Sequence, residues 1–175
     1  MNKNCGVLFD LDGVFYISNQ AIDGGQKAIN LLRKNDIPIR FLTNTTTKPR
    51  NVICDKLNNF GLEVYKNEIF SASYIGINYL RSIGSPPCHL LIHENIYSDY
   101  AEFEMKNKKP EYVVIGDRGH VWNYDDMNQA FNYLKEGAKL IALHKGRFFQ
   151  TSDSLEIDIG AFVAGLEYSS GKQTI

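Results

Sequence analysis

The run Val7-Leu8-Phe9 stops on Asp10-Leu11-Asp12-Gly13, and from there to Ile175 short apolar runs alternate with longer segments whose apolar residues recur every three or four positions. A short apolar strand needs cover on its faces, and a helix after each strand supplies it while carrying the chain back to start the next strand in parallel. The alternation therefore restricts the chain to α/β layers with largely parallel pairing.

Gly24-Gly25 leads into Ala28, Ile29, Leu31 and Leu32, which predicts a helix to about residue 35, and residues 37–43 read as a second strand with Pro38 confined to its start. Thr47 is expected to cap a helix that has Pro49 in its first turn, Val52, Ile53, Leu57 and Phe60 as its apolar stripe, and Gly61 at its end. A third helix is expected over 73–83 with Ile75, Tyr79 and Ile83 on one face, closed by Gly84-Ser85-Pro86-Pro87. Strands then follow over 89–93, 111–115 and 139–143, with helices over 96–103, 125–136 and 159–168. The second of these helices carries Met127, Ala130, Phe131 and Leu134 at i, i+3, i+4 and i+7. A domain boundary is expected near 71–73 or at the 84–87 breaker.

With 175 residues, 43% of them hydrophobic and 22% charged, the chain can hold one large domain or two small ones. Lys and Arg number 19 against 20 for Asp and Glu, and no block of like charge stands out, so bulk charge points to neither nucleic acid nor an anionic membrane as partner. Apolar stretches such as Tyr112–Ile115 are far shorter than the roughly 18 residues of a spanning helix, so no membrane crossing is expected. Met1-Asn2-Lys3-Asn4-Cys5 runs directly into the first strand without a leader-like apolar region, which sets a cytoplasmic expectation. Cys5, Cys54 and Cys88 are odd in number and widely spaced, and read as buried reduced thiols. Gly171-Lys172 continues with Gln173 and Gly160 to Gly165 lies in an expected helix, so phosphate-loop and dinucleotide fingerprints are missing.

The informative feature is the acid pair. Asp10 and Asp12 stand at i and i+2 on the C-terminal end of what reads as a buried strand, where open α/β sheets bind ligands, and Gly13 lets the chain turn away. One carboxylate of such a pair can act as nucleophile or metal ligand while the other carries protons. Oxygen-only ligands of this kind suit Mg²⁺. A plain polar turn would have the same spacing. Beside it, Ile39-Arg40-Phe41-Leu42 ends in Thr43-Asn44-Thr45-Thr46-Thr47-Lys48, a hydroxyl and amide cluster able to hold phosphate near a helix start, or simply to cap that helix.

Phe9-Asp10-Leu11-Asp12-Gly13-Val14 and Leu42-Thr43-Asn44 resemble the first and second motifs of the haloacid dehalogenase superfamily of phosphohydrolases. Glu68-Ile69-Phe70-Ser71, Val113-Val114-Ile115-Gly116, Asn128-Gln129-Ala130-Phe131, the segment from Gly137 to Lys145 and Ala164-Gly165-Leu166-Glu167-Tyr168 extend the resemblance over nearly the whole chain, to the subgroup whose α/β cap is inserted after the second motif. The resemblance implies a partial Rossmann-like parallel-sheet core over 1–72, an α/β cap over 73–170 and a return towards the core over 171–175. It also implies Mg²⁺-dependent phosphatase chemistry on a small phosphorylated substrate. Asp10 would form a phosphoaspartate and Asp12 would be the acid and base. Thr43 and Asn44 would hold phosphate. Mg²⁺ would sit on the Asp10 carboxylate and the Asp12 main-chain carbonyl, and Val14 to Ile17 would be a flap beside the site.

The family's third motif, a Lys on the phosphate, is expected a few residues beyond Ser169-Ser170-Gly171-Lys172-Gln173-Thr174-Ile175, and Lys172 stands too early to be it. The fourth, an acidic cluster on a strand, has no segment here. Asp117 after Tyr112–Ile115 imitates it, but the stretch reads as a cap strand. The chain thus reads as C-terminally truncated, with an uncovered sheet face and a tendency to self-associate as a homo-oligomer or to be poorly stable. The competing reading is a catalytically defective or fragmentary member acting as a binding or dimerisation module. His89 and His93 read as ordinary cap positions. His144-Lys145-Gly146-Arg147 reads as a solvated loop or as basic groups meeting a substrate anion.

Overall fold

The computed structural model describes residues 5–105, 108–151 and 154–175; the leader reading, drawn on residues 1–4, lies outside them. Strand β1 (Val7–Asp10) leads through a small hairpin of β2 (Tyr16–Ile17) and β3 (Gln20–Ala21) into helix α1 (Gly25–Lys34). Strand β4 (Ile39–Thr43), helix α2 (Arg50–Asn59) and strand β5 (Ile69–Ser71) complete a three-stranded parallel sheet of order β1-β4-β5. Period-two alternation assigns its faces. Val7, Phe9, Phe41 and Ile69 pack with Leu11, Phe15, Ile29, Ile53 and Leu57 into one core under α1 and α2. The opposite face carries Arg40 together with Leu8, 66% exposed, and Leu42, 37% exposed. The expectation of a buried first strand is corrected here: β1 is an edge strand covered on one side.

Helix α3 (Ala72–Ser82) leaves β5 directly, capped by Ser71 Oγ, which accepts the Tyr74 N–H at 3.2 Å. A second parallel sheet follows, with strands β6 (Cys88–Leu91), β7 (Tyr112–Ile115) and β8 (Lys139–Ala142) in that order. A 3-10 segment (Glu94–Phe103) crosses from β6 towards β7, and helix α4 (Tyr124–Lys135) crosses from β7 to β8. An antiparallel hairpin, β9 (Phe148–Gln150) with β10 (Leu155–Ile157), precedes helix α5 (Gly160–Ser170). The middle strand is buried on both faces. Val113 and Ile115 pack against α4 and α5 through Leu134, Val163 and Leu166, while Val114 packs against α3 and the 3-10 segment through Leu80, Ile96 and Tyr100.

The parallel α/β expectation holds in both sheets, and several local readings are corrected. Thr47 does not cap α2: the N-cap is Pro49, with no side-chain cap. Ile75 and Ile83 of the expected apolar stripe on α3 are exposed at 50% and 38%, and the buried face is Ser73, Gly76, Ile77 and Leu80, because α3 must lie against a second sheet rather than against its own strand. Residues 96–103 form 3-10 rather than α-helical turns. Of the thiols, all free, Cys88 is buried and its pKa is pushed up to about 12 by burial, Cys54 is half-buried, and Cys5 is exposed rather than buried.

Candidate active site

The C-terminal ends of β1, β4 and β5 meet at one edge, with Asp10 opposite Leu42, Leu42 opposite Phe70, and Thr43 opposite Ser71. Alternation past the end of β1 sends Leu11 into the core, fully buried, and leaves Asp10 and Asp12 exposed on either side of it. The Leu11 N–H donates to Asp10 Oδ1 at 2.9 Å, while Val14 and Phe15 N–H close a turn on the Leu11 carbonyl at 3.2 and 3.0 Å. Gly13 takes φ +78°, a left-handed conformation costly for any side chain, and donates its N–H to the Tyr16 carbonyl at 2.8 Å. The expected flap is thus the base of the β2–β3 hairpin, anchored by Phe15, whose ring stands 5.1 Å from Phe9 and 5.5 Å from Phe41.

Asp12 is held from that hairpin. The Tyr16 hydroxyl donates to Asp12 Oδ2 at 2.9 Å. Burial first, then the Asp12 charge and this hydrogen bond, push the Tyr16 pKa above its ordinary value, so the phenol remains a donor. Lys56 Nζ lies 3.7 Å from the centre of the same ring. Tyr16 was not among the sequence-read candidates; its one signal is its position four residues after Asp12 in the turn.

At the tip of β4, Thr43 is buried, accepts the Thr45 N–H at 3.2 Å, and shares a 2.9 Å hydrogen bond with the Thr45 hydroxyl. Asp10, Thr43 and Asn44 line one end of a cavity of about 400 Å³ whose other walls include Ile75, Tyr79 and Leu143. Asp12 is outside that lining, turned onto Tyr16. Buried Thr46 accepts the Asp117 N–H at 3.0 Å, and the Thr47 carbonyl accepts Asn95 Nδ2 at 3.3 Å, so the loop after β4 is bonded to the second sheet's unit.

The remaining candidates lie elsewhere. Asp117 follows the middle strand β7, accepts the Gly119 N–H at 2.8 Å and lines a different cavity with Trp122 and Phe149. His89 packs against Tyr133, and His93 Nδ1 accepts the Asn95 N–H at 3.2 Å, so the pair does not converge. His144 Nδ1 stands 3.8 Å from buried Asp158, and Lys145 is engaged by Glu167 at 2.8 Å. Among the described residues no set of three carboxylate, imidazole or thiol side chains is grouped to hold a metal. The donors at the β1 tip are all oxygen, with an exposed Asp10 carboxylate beside phosphate-compatible hydroxyl and amide groups. That set fits a Mg²⁺ ion that takes one or two carboxylates and completes its shell with water and substrate oxygens.

The family model for "Haloacid dehalogenase-like hydrolase" matches residues 7–106, more than half of the chain, from β1 through the 3-10 segment. The chain belongs to the haloacid dehalogenase-like hydrolases. Among curated relatives, it is similar to the rat (Rattus norvegicus) phospholysine phosphohistidine inorganic pyrophosphate phosphatase, 35% identical over 172 residues, covering 95% of this chain and 63% of that protein. It is also similar to the haloacid dehalogenase-like hydrolase domain-containing protein 2 of Mus musculus, 33% identical over 164 residues, covering 94% of this chain and 62% of that one. The chain thus spans less than two thirds of the length of these relatives. A thermostable p-nitrophenylphosphatase variant from Bacillus stearothermophilus superposes with a TM-score of 0.85 at 26% identity, covering 99% of this chain and 69% of that one. A hypothetical protein of Pyrococcus horikoshii superposes with a TM-score of 0.88 at 22% identity, over 98% of this chain and 70% of that chain, which speaks to fold alone. The chain therefore has the mixed α/β architecture of haloacid dehalogenase-like proteins, built on parallel sheets, of which part of a Rossmann-like core is one. No helix of the described residues is long and apolar enough to cross a membrane.

Proposed function

We propose that this chain carries the nucleophile-bearing part of a Mg²⁺-dependent phosphatase site for small phosphate compounds, with residues 1–72 as half of the core, 73–170 as the cap and 171–175 as the return. The observation that carries the reading is the shared cavity of Asp10, Thr43 and Asn44 at adjacent parallel strand tips. The Leu11 N–H donates to Asp10 Oδ1 and orients the carboxylate, one oxygen of which attacks phosphorus in line. Asp12 gives its proton to the leaving oxygen, then takes one from the water that attacks the phosphoaspartate, releasing inorganic phosphate and free Asp10. Thr43 and Asn44 hold the phosphate oxygens in that sequence. The Asp10 carboxylate and the Asp12 main-chain carbonyl would hold Mg²⁺, which when bound offsets the repulsion between an anionic nucleophile and an anionic substrate.

The test is Mg²⁺-dependent hydrolysis of p-nitrophenyl phosphate by the 175-residue chain and by Asp10→Asn. Turnover abolished by the variant is the expected result. A wild-type chain without turnover refutes the reading for this chain and favours a binding or dimerisation module. The proposal includes self-association through the open face that carries Leu8 and Leu42, and a monodisperse monomer across a concentration series in sedimentation would count against that part.

A further inference from the structure

A second cavity, of about 340 Å³, lies where the starts of α2 and α3 meet the 94–103 segment, and it shares none of Asp10, Asp12, Thr43 and Asn44. Four cationic side chains line it, Lys48, Arg50, Lys66 and Arg81, against two acids, Asp99 and Glu102. Arg81 is already neutralised, because its Nε and Nη2 both donate to Glu102 Oε1, at 3.0 and 2.5 Å. Arg50 is fixed over the Tyr74 ring, 3.3 Å from its centre, with Nη1 reaching the carbonyls of Lys66 and Ile69 at 3.4 and 3.5 Å. Carbonyls orient the guanidinium without cancelling its charge. Lys48 and Lys66 are exposed and make no ion pair among the described residues. Three cations therefore face the one carboxylate of Asp99.

The backbone adds to this excess. Pro49 offers no side-chain acceptor to α2, no acid stands in its first turn, and the first bond into the cap carbonyl comes only from Ile53 N–H at 3.2 Å. The N–H groups of the first turn are left facing outward with the positive end of the helix dipole. Ser73, Ser98 and Asn51 also stand in the lining.

We propose that this cleft is an anion site separate from the Asp10 cavity, taking a phosphate or phosphomonoester dianion. A dianion with several acceptor oxygens can meet Lys48, Arg50 and Lys66 at once, whereas a monoanionic carboxylate cannot satisfy all three. The site goes beyond the proposed phosphatase reading and does not depend on it.

The test is a two-dimensional ¹H–¹⁵N titration of the full chain with sodium phosphate, without Mg²⁺ and at constant ionic strength, with acetate as the comparison anion. Saturable shifts are expected at the amides of Asn51, Val52 and Tyr74, absent with acetate. The Lys48→Gln/Lys66→Gln double variant should weaken them about tenfold, the scale of losing two partly exposed charge contacts with a dianion. Both lysines are exposed, and the dispersion of the same spectra reports whether the variant is folded. Shifts confined to Thr43 and Asn44, an equal response to acetate, or undiminished affinity in the double variant would each overturn the proposal. Because phosphate at the Asp10 cavity is read at Thr43 and Asn44, failure of one site is distinguishable from failure of the other.

Discussion

Two glycines of α5 should respond to alanine with opposite signs. Gly160 opens the helix against the loop after β8, where its N–H donates to the Gly146 carbonyl at 2.9 Å. A Cβ built there falls well inside 3.0 Å of the Gly146 carbonyl oxygen and 3.0 Å from that of Lys145, both backbone atoms. The loop cannot yield freely. Asp158, buried, donates its N–H to the Arg147 carbonyl at 3.2 Å and sets its carboxylate 3.8 Å from His144 Nδ1, so the two segments are tied on both sides of the contact. Relieving the clash costs about 1–3 kcal/mol of overpacking and about 1 kcal/mol for the Gly160 hydrogen bond, against a helix-propensity gain of at most about 1 kcal/mol. Gly160→Ala is therefore expected to lose about 2 kcal/mol, or about 4–8 °C in Tm for a chain of this size. Gly165 lies in the same helix with nothing within 4 Å of a built Cβ, so Gly165→Ala should gain about 0.5–1 kcal/mol. Circular-dichroism melts and urea titrations of the two variants, run beside the parent, measure both signs. A Gly160→Ala protein as stable as Gly165→Ala would refute the claim that backbone-to-backbone contact sets the start of α5.

Tyr16→Phe removes the donor that holds Asp12 Oδ2 at 2.9 Å while leaving the ring in the core. If Asp12 carries protons as proposed, kcat should fall about three- to tenfold with KM little changed, and steady-state kinetics showing an unchanged kcat would remove Tyr16 from that role. Glu167 is held at a pKa of about 2, first by the Lys145 ammonium and then by the Thr174 hydroxyl and N–H. A carboxylate depressed in the folded state stabilises fully above its unfolded value of about 4.3 and loses that contribution as pH falls towards 2. Urea midpoints between pH 5 and pH 2.5 should therefore drop more steeply for the parent than for Glu167→Gln; parallel curves would contradict this.

The local alphabet of the chain was legible because it depends on near neighbours. Short apolar runs marked β1, β4, β7 and β8, and spacing marked α1, α2 and α4. The alternation of Asp10, Leu11 and Asp12 followed from the two-residue period of an extended chain. Strand-to-helix order likewise implied parallel pairing, since a connection of that length returns the chain to the same end of the sheet. Residues whose partners are distant in sequence were not legible. The buried face of α3 depends on distant partners: Ile75 lines the Asp10 cavity, while Ile77 and Leu80 meet a sheet that begins only at Cys88. Thr46 looked like one hydroxyl among several until the tip of β7 placed the Asp117 N–H against it, 71 residues away. The anionic character of Asp10 and Asp12 is written in the sequence. The gathering of Asp10 with Thr43 and Asn44, the turning of Asp12 onto Tyr16, and the convergence of Lys48, Arg50 and Lys66 on one cleft are decided by packing, which brings together side chains that no period along the chain connects.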